Sequence, residues 1–190
     1  MQTQFTVLLD ASVLYPAPLR DILLQLTSQG LFRGRWTDRI HDEWIGNLLK
    51  NRPDLHQDQL KRTRAVINKS ILDCLVTDYE ELLSSIALPD PDDNHVLAAA
   101  VRAQAQVIVT YNIKDFPKEV LFKHGVEAQH PDTFLRYQLD LNLPLFLSCI
   151  KTIRERLKNP PRTASEYLQT FFSQHLTQTV AFLQQYESLI

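Results

Sequence analysis

The chain opens on a short, nearly continuous apolar run, Phe5-Thr6-Val7-Leu8-Leu9, that ends on an acid, Asp10. Such a run is expected for a strand buried on both faces of a parallel sheet. The period then lengthens to that of a helix. Ile22, Leu23, Leu26 and Leu31 form an apolar face, with Pro16 and Pro18 suited to helix entry and Gly30 to its end. Residues 32–36 read as a second strand. Thr37 or Asp38 can cap the next helix, whose stripe is Ile40, Trp44, Ile45, Leu48 and Leu49. Asn51-Arg52-Pro53-Asp54 reads as a turn, and a long helix over 56–72 carries Leu60, Val66, Ile67, Ile71 and Leu72 on one face.

Leu75-Val76 reads as a brief strand and 79–86 as a short helix. Leu88-Pro89-Asp90-Pro91 is a rigid loop, because each proline also restricts the residue before it. Asp92 or Asp93 then caps a helix running to Ala105, whose alanines suit close packing on a sheet. Residues 106–110 and 126–128 read as further strands, and Asp132 as the cap of a helix through Leu139. This alternation predicts an α/β domain with a mostly parallel sheet. After Asn142 the pattern is helical only: 145–157, a break at Pro160-Pro161, a helix from Thr163 with capping-box spacing to Glu166, and a last stretch over 177–186. The expected division is an α/β domain over 1–141 and a C-terminal α-helical extension over 142–190.

Composition adds limits. Of 190 residues, 44% are hydrophobic and 22% charged, an ordinary globular balance. The net charge of -2 makes the whole molecule no electrostatic trap for nucleic acid, so any such binding needs a local patch. No apolar run approaches the roughly 18 to 20 residues of a membrane span. The start, MQTQFTVLLDAS, lacks a positive n-region and reads as a strand, not a signal peptide. Cys74 and Cys149 read as buried thiols in a reducing cytoplasm, with no ligand spacing for zinc.

The chemistry lies in the acids. Asp10 follows a predicted strand, and in an open parallel sheet ligands bind at the carboxyl ends of strands; it is equally suited to capping the next helix. Glu43, taken alone, reads as a solvated helix residue. Asp90 and Asp93 straddle a helix start, whose free N–H groups and dipole favour anions. Three acids in DPDD exceed what a cap requires, and Asp92 is the simplest cap among them. VIVTYNIKDFP sets Thr110 at a strand end, with Asn112 and Asp115 in the following loop. If these carboxylates converge, their mutual repulsion calls for a hard divalent cation, and a cation among carboxylates suits phosphodiester chemistry. His95 reads as a helix-surface residue rather than a general base.

Four stretches, LLDASVLYP, the acidic helix around DEW, DPDDNHVLAAA and VTYNIKDFP, together resemble the PIN domain, a nuclease fold. The resemblance implies a three-layer α/β/α fold with a C-terminal helical addition. It implies Asp10, Glu43, Asp93 and Asp115 as catalytic and metal-binding acids for Mg2+ or Mn2+, with Asp90, Thr110 and Asn112 supporting them, and it raises Glu43 above its unaided reading. YPAPLRD and the helical extension look like the VapC-like subgroup of bacterial toxins. There the resemblance implies a metal-dependent ribonuclease neutralised by an antitoxin. No compact basic tract flanks the acids. Arg20, Arg35, Lys61, Arg62 and Arg64, with Arg33 and Arg39, are the residues available to hold RNA.

Haloacid-dehalogenase chemistry needs DxD after the first strand, where this chain has Asp10-Ala11-Ser12, and a response-regulator receiver needs an acidic pair there. The remaining alternatives are a PIN nuclease of RNA processing and a non-catalytic PIN-like scaffold binding RNA or protein. The apolar positions of the extension, among them Leu168, Phe171, Phe172, Val180, Phe182 and Leu183, favour packing on the domain over homodimerisation or antitoxin binding.

Overall fold

In the computed structural model, which describes residues 5–190, one parallel sheet organises the chain. Its strands are β1 (Thr6–Leu9), β2 (Arg33–Arg35), β3 (Val107–Val109) and β4 (Glu127–Gln129), in the order β2-β1-β3-β4. Every pairing is parallel, with Val7 opposite Gly34 on one side and Val107 on the other. All of β1 is buried, which explains its apolar sequence. β2 is an edge strand and reads Arg-Gly-Arg. A Cβ on Gly34 would lie 2.7 Å from Thr27 Oγ1, so the helix over the edge packs against bare backbone. The anticipated strand at Leu75-Val76 is a single parallel bridge between Trp36 and Leu75.

The helices form where the apolar period lengthens. A turn of helix, α1 (Ala11–Leu14), precedes the proline-entered α2 (Ala17–Ser28). Thr37 caps α3 (Asp38–Asn51), its hydroxyl accepting from the Ile40 N–H at 3.0 Å. α4 (Gln57–Ser70) follows, and 79–86 winds as a 3-10 helix over Glu80–Ser85. α5 (Asn94–Arg102) buries every residue from His95 to Ala100, because it packs on both β1 and β3. α6 (Lys118–Phe122) leads into β4, and α7 (Pro131–Leu141) follows it. Together these elements make the three-layer α/β/α architecture with added C-terminal helices.

The extension is continuous with this body. Asn142 joins α7 to α8 (Leu143–Arg156), its side chain accepting from the Leu145 N–H at 3.1 Å. Thr163 and Glu166 close the anticipated capping box at the start of α9 (Ala164–Phe172), and α10 (Thr177–Leu183) ends in a 3-10 turn. Leu168, Phe171, Val180 and Leu183 are buried in the same core as the sheet, whereas Phe172 is exposed. Phe182 is covered by the Arg136 guanidinium, 3.9 Å from its ring centre. Asp132 departs from its expected role. The start of α7 is capped by His130, whose Nδ1 accepts from the Asp132 N–H, and the Asp132 carboxylate turns to α10 instead. Pro131 at the first helical position moves the cap two residues earlier, from Asp132 to His130.

Candidate active site

The central strands β1 and β3 send the chain to opposite sides of the sheet, β1 toward β2 and β3 toward β4. Their diverging loops open a crevice at the carboxyl ends. Asp10 leaves β1 there and is 5% exposed. Its Oδ1 accepts from the Ala11 N–H at 2.7 Å, and its Oδ2 from the hydroxyls of Ser12 at 2.6 Å and Thr110 at 2.8 Å. Asp10 is therefore both the cap of α1 and the fixed acid of the crevice. Thr110, fully buried at the end of β3, ties the two strand ends through this bond. The Asn112 N–H donates to Thr110 Oγ1 and the Tyr111 N–H to Ser12 Oγ, so the loop after β3 is stitched to the start of α1. The Tyr111 hydroxyl donates to the Gln174 carbonyl at 2.7 Å, which carries the tie into the extension.

Asp93 is held differently. The Asp90 carboxylate accepts from the Asp92 N–H at 2.9 Å and caps the 3-10 turn Pro91–Asp93. Asp93 stands at the N-cap of α5 yet makes no capping hydrogen bond. Its carboxyl is pushed up to about 6, first by partial burial, then by the charges of Asp10, Asp90 and Asp115, with His95 opposing. The cap within DPDD is thus Asp90 rather than Asp92, and Asp92 lines the cleft. The proline at 91 starts the turn early and moves the cap back to Asp90.

Glu43, on α3, is half-buried. Its Oε1 accepts from Arg39 Nε at 3.2 Å and lies 2.9 Å from His95 Nε2, while Oε2 has no hydrogen-bond partner among the described residues. His95 is 1% exposed, not a surface residue as its sequence setting suggests. With Nε2 directed at Glu43, its Nδ1 is buried without a hydrogen-bond partner among the described residues. The helix period alone gives no sign of this, since α5 is apolar on all sides.

Asp10, Glu43 and Asp93 line one cleft of about 440 Å³, together with Ser12, Tyr15, Asn47, Asn51, Asp92 and Asn112. Asp115 lies outside this lining, in the 3-10 turn Ile113–Asp115, close enough for its charge to raise Asp93. Ser12, Tyr15, Asn47 and Asn51 carry no sequence signal that marks them for the cleft, and His95 is buried where its sequence setting suggests the surface. The cation-bearing residues are mostly engaged within the chain. Arg20 donates to the Leu14 carbonyl at 2.9 Å and lies over the Trp44 ring; Arg35 pairs with Asp73; Arg64 bridges Asp38 and Asp42. Lys61 and Arg62 are exposed on α4.

The donor set fits a hard divalent cation. It is all oxygen, and the burial and neighbouring negative charge that together raise Asp93 are what a cation would offset. Among the described residues no three His, Cys, Asp or Glu side chains form a ready metal-holding group. An ion here would take few direct carboxylates and complete its shell with water, the habit of Mg2+.

Residues 6–114 match the PIN domain family, and residues 131–185 match the family described as the VapC50 C-terminal domain. Over 82 residues the chain is 43% identical to a Mycobacterium tuberculosis protein named "Putative ribonuclease VapC50". That match covers 43% of this chain and 48% of the relative, so the chain spans about half the relative's length. No solved structure matches. Among the described residues no helix is long and apolar enough to cross a membrane.

Proposed function

We propose, because this chain belongs to the PIN-domain family, that it is a Mg2+- or Mn2+-dependent endoribonuclease, acting in the cytoplasm as the toxin of a toxin–antitoxin pair. The observation that carries this reading is the gathering of Asp10, Glu43 and Asp93 on one cleft, where the Asp93 carboxyl is raised to about 6, first by partial burial and then by the charges of Asp10, Asp90 and Asp115. A chain that folds for stability alone gains nothing from holding like charges together. In this reading residues 1–141 form the nuclease domain, and 142–190 form the extension that braces its rim through Tyr111.

Asp10, immobilised by Ser12 and Thr110, offers a fixed oxygen ligand at the end of β1. Glu43, gripped at Oε1, keeps Oε2 for the cleft, and Asp93 brings the third carboxylate. Asp115 contributes its charge to the cluster from the turn after β3, and Asn112 orients a carboxylate or the attacking water. When bound, a divalent ion supplies Lewis acidity that makes water nucleophilic near neutral pH and offsets charge on the leaving oxygen. The in-line attack breaks one phosphodiester bond of RNA and needs no side-chain nucleophile.

The test is cleavage of structured RNA by purified protein with Mn2+ or Mg2+. Activity is expected to vanish with EDTA and to fall in parallel in Asp10→Ala and Asp93→Asn. Cleavage that survives chelation and both substitutions would sink the proposal, and RNA that is bound but never cut would favour a non-catalytic scaffold. The toxin role adds its own expectation: a short neighbouring reading frame whose product, mixed with this protein, suppresses the cleavage.

A further inference from the structure

The cleft has a second wall with different chemistry. α3 presents Glu43, Asn47 and Asn51 to it at four-residue intervals, one face of the helix, advancing about 6 Å per step. The row starts acidic and becomes neutral. Beside its far end stands Tyr15, whose hydroxyl oxygen accepts from Asn51 Nδ2 at 3.1 Å. That bond leaves the tyrosine O–H free to donate, and leaves Asn51 an acceptor oxygen and one N–H. The Asn47 amide makes no hydrogen bond to any described residue.

We infer that Asn47, Asn51 and Tyr15 read one nucleobase of a single-stranded RNA beside the scissile phosphate. This rests on the ribonuclease reading for the role of the acidic wall. The neutral wall does not suit phosphate, because its amides carry no charge and the guanidinium groups nearby are committed. Arg39 donates to Glu43 and to the Asp92 carbonyl, and Arg20 to the Leu14 carbonyl. Amides with free donors and acceptors suit the edge of a base, and a phenol ring offers it a stacking face. In an A-form duplex those edges and faces are hidden by pairing and stacking, so the base must come from an unpaired segment. A cleft of about 440 Å³ is sized for one such splayed nucleotide. The phosphate then falls on the acids and the base on the amides, one helical turn or two along α3.

The test uses labelled single-stranded pentaribonucleotides that differ only in the central base, with one strand abasic at that position. Binding is followed by fluorescence anisotropy with Ca2+ in place of Mg2+, to hold cleavage back. The wild type is expected to bind its preferred base at least ~10-fold more tightly than the abasic strand, the lower range for one stacked base. The paired change Asn47→Ala and Asn51→Ala should erase the preference among bases. Both positions are exposed, so the fold is kept, as an unchanged melting temperature will verify. Tyr15→Leu should bring every strand toward the abasic affinity. Wild-type protein that fails to distinguish a base from its absence, or an asparagine double variant that keeps the preference, overturns the inference. Cleavage is scored separately with Mn2+. Base-selective binding without cutting contradicts the nuclease reading alone, and cutting with unaltered preference in the variants contradicts this inference alone.

Discussion

The rim around Asp93 and the junction around Asp132 each set an aspartate at the start of a helix, in opposite surroundings. Asp132 is 3% exposed, and its carboxylate accepts from the backbone N–H groups of Gln178 and Thr179, both at 2.9 Å, and from the Thr177 hydroxyl at 3.4 Å. It locks α10 of the extension onto α7. Asp93 caps nothing, and its carboxyl is raised first by partial burial and then by the charges of three other acids. A carboxylate buried for structure is given donors by the chain itself. One left among like charges is held for something the chain does not supply, and on the present reading that is a divalent cation with its RNA.

The widest separation of the two regions is expected in catalysis. Asp93→Asn should lower RNA cleavage at least ~100-fold, the lower range for a group acting at the reacting atoms, with the fold intact. Asp132→Ala should do the reverse. It strands two backbone N–H groups and costs about 2 kcal/mol of stability, read from urea unfolding, while the folded fraction keeps cutting. An Asp132→Ala protein as stable as wild type would erase the contrast.

A smaller effect tests the support behind the rim. His95→Ala removes one of the two groups that hold Glu43 Oε1, leaving Arg39, and should weaken Mn2+ binding ~10-fold, as loss of a ligand's hydrogen-bond partner does. His95→Gln, which can still donate, should recover part of it. Full affinity in His95→Ala would make that histidine a packing residue only.

The smallest effect is on pH. The folded-state value of Asp93, about 6, lies above its ordinary 3.8, so the fold favours the protonated form. That contribution is fully present below about pH 4 and is lost as pH rises through about 6. After allowance for solvent screening of a partly exposed group, the loss is about 1 kcal/mol. Urea midpoints of the metal-free protein should decline across this window, and those of Asp93→Asn should stay level. A decline that persists in Asp93→Asn would assign the effect to another group.

Much of this arrangement was legible along the chain, for identifiable reasons. β1 and β3 are apolar runs because both of their faces are buried, and Asp10 and Thr110 follow them directly, so their place at the sheet edge follows from order alone. Other features depend on directions that a linear pattern does not carry. Which acid of DPDD caps the turn depends on the 3-10 geometry set by Pro91. His95 is an inward group on a helix without a polar face, so no period marks it. Asn47 and Asn51 share a face with Glu43, but they become informative only once α3 is known to border the cleft. Asp132 meets α10 across 46 residues of sequence, a pairing that only the tertiary packing of the extension creates.

The central claim, that the acids of the rim are held for a divalent ion, is tested most directly by calorimetric titration of Mn2+ at about pH 6, in two buffers of different protonation enthalpy. Asp93 is then about half protonated, so binding should release about half a proton. Asp93→Asn should bind more weakly and release none. Wild-type protein that takes up no Mn2+, or that binds it with no proton release and no loss in Asp93→Asn, would contradict the claim.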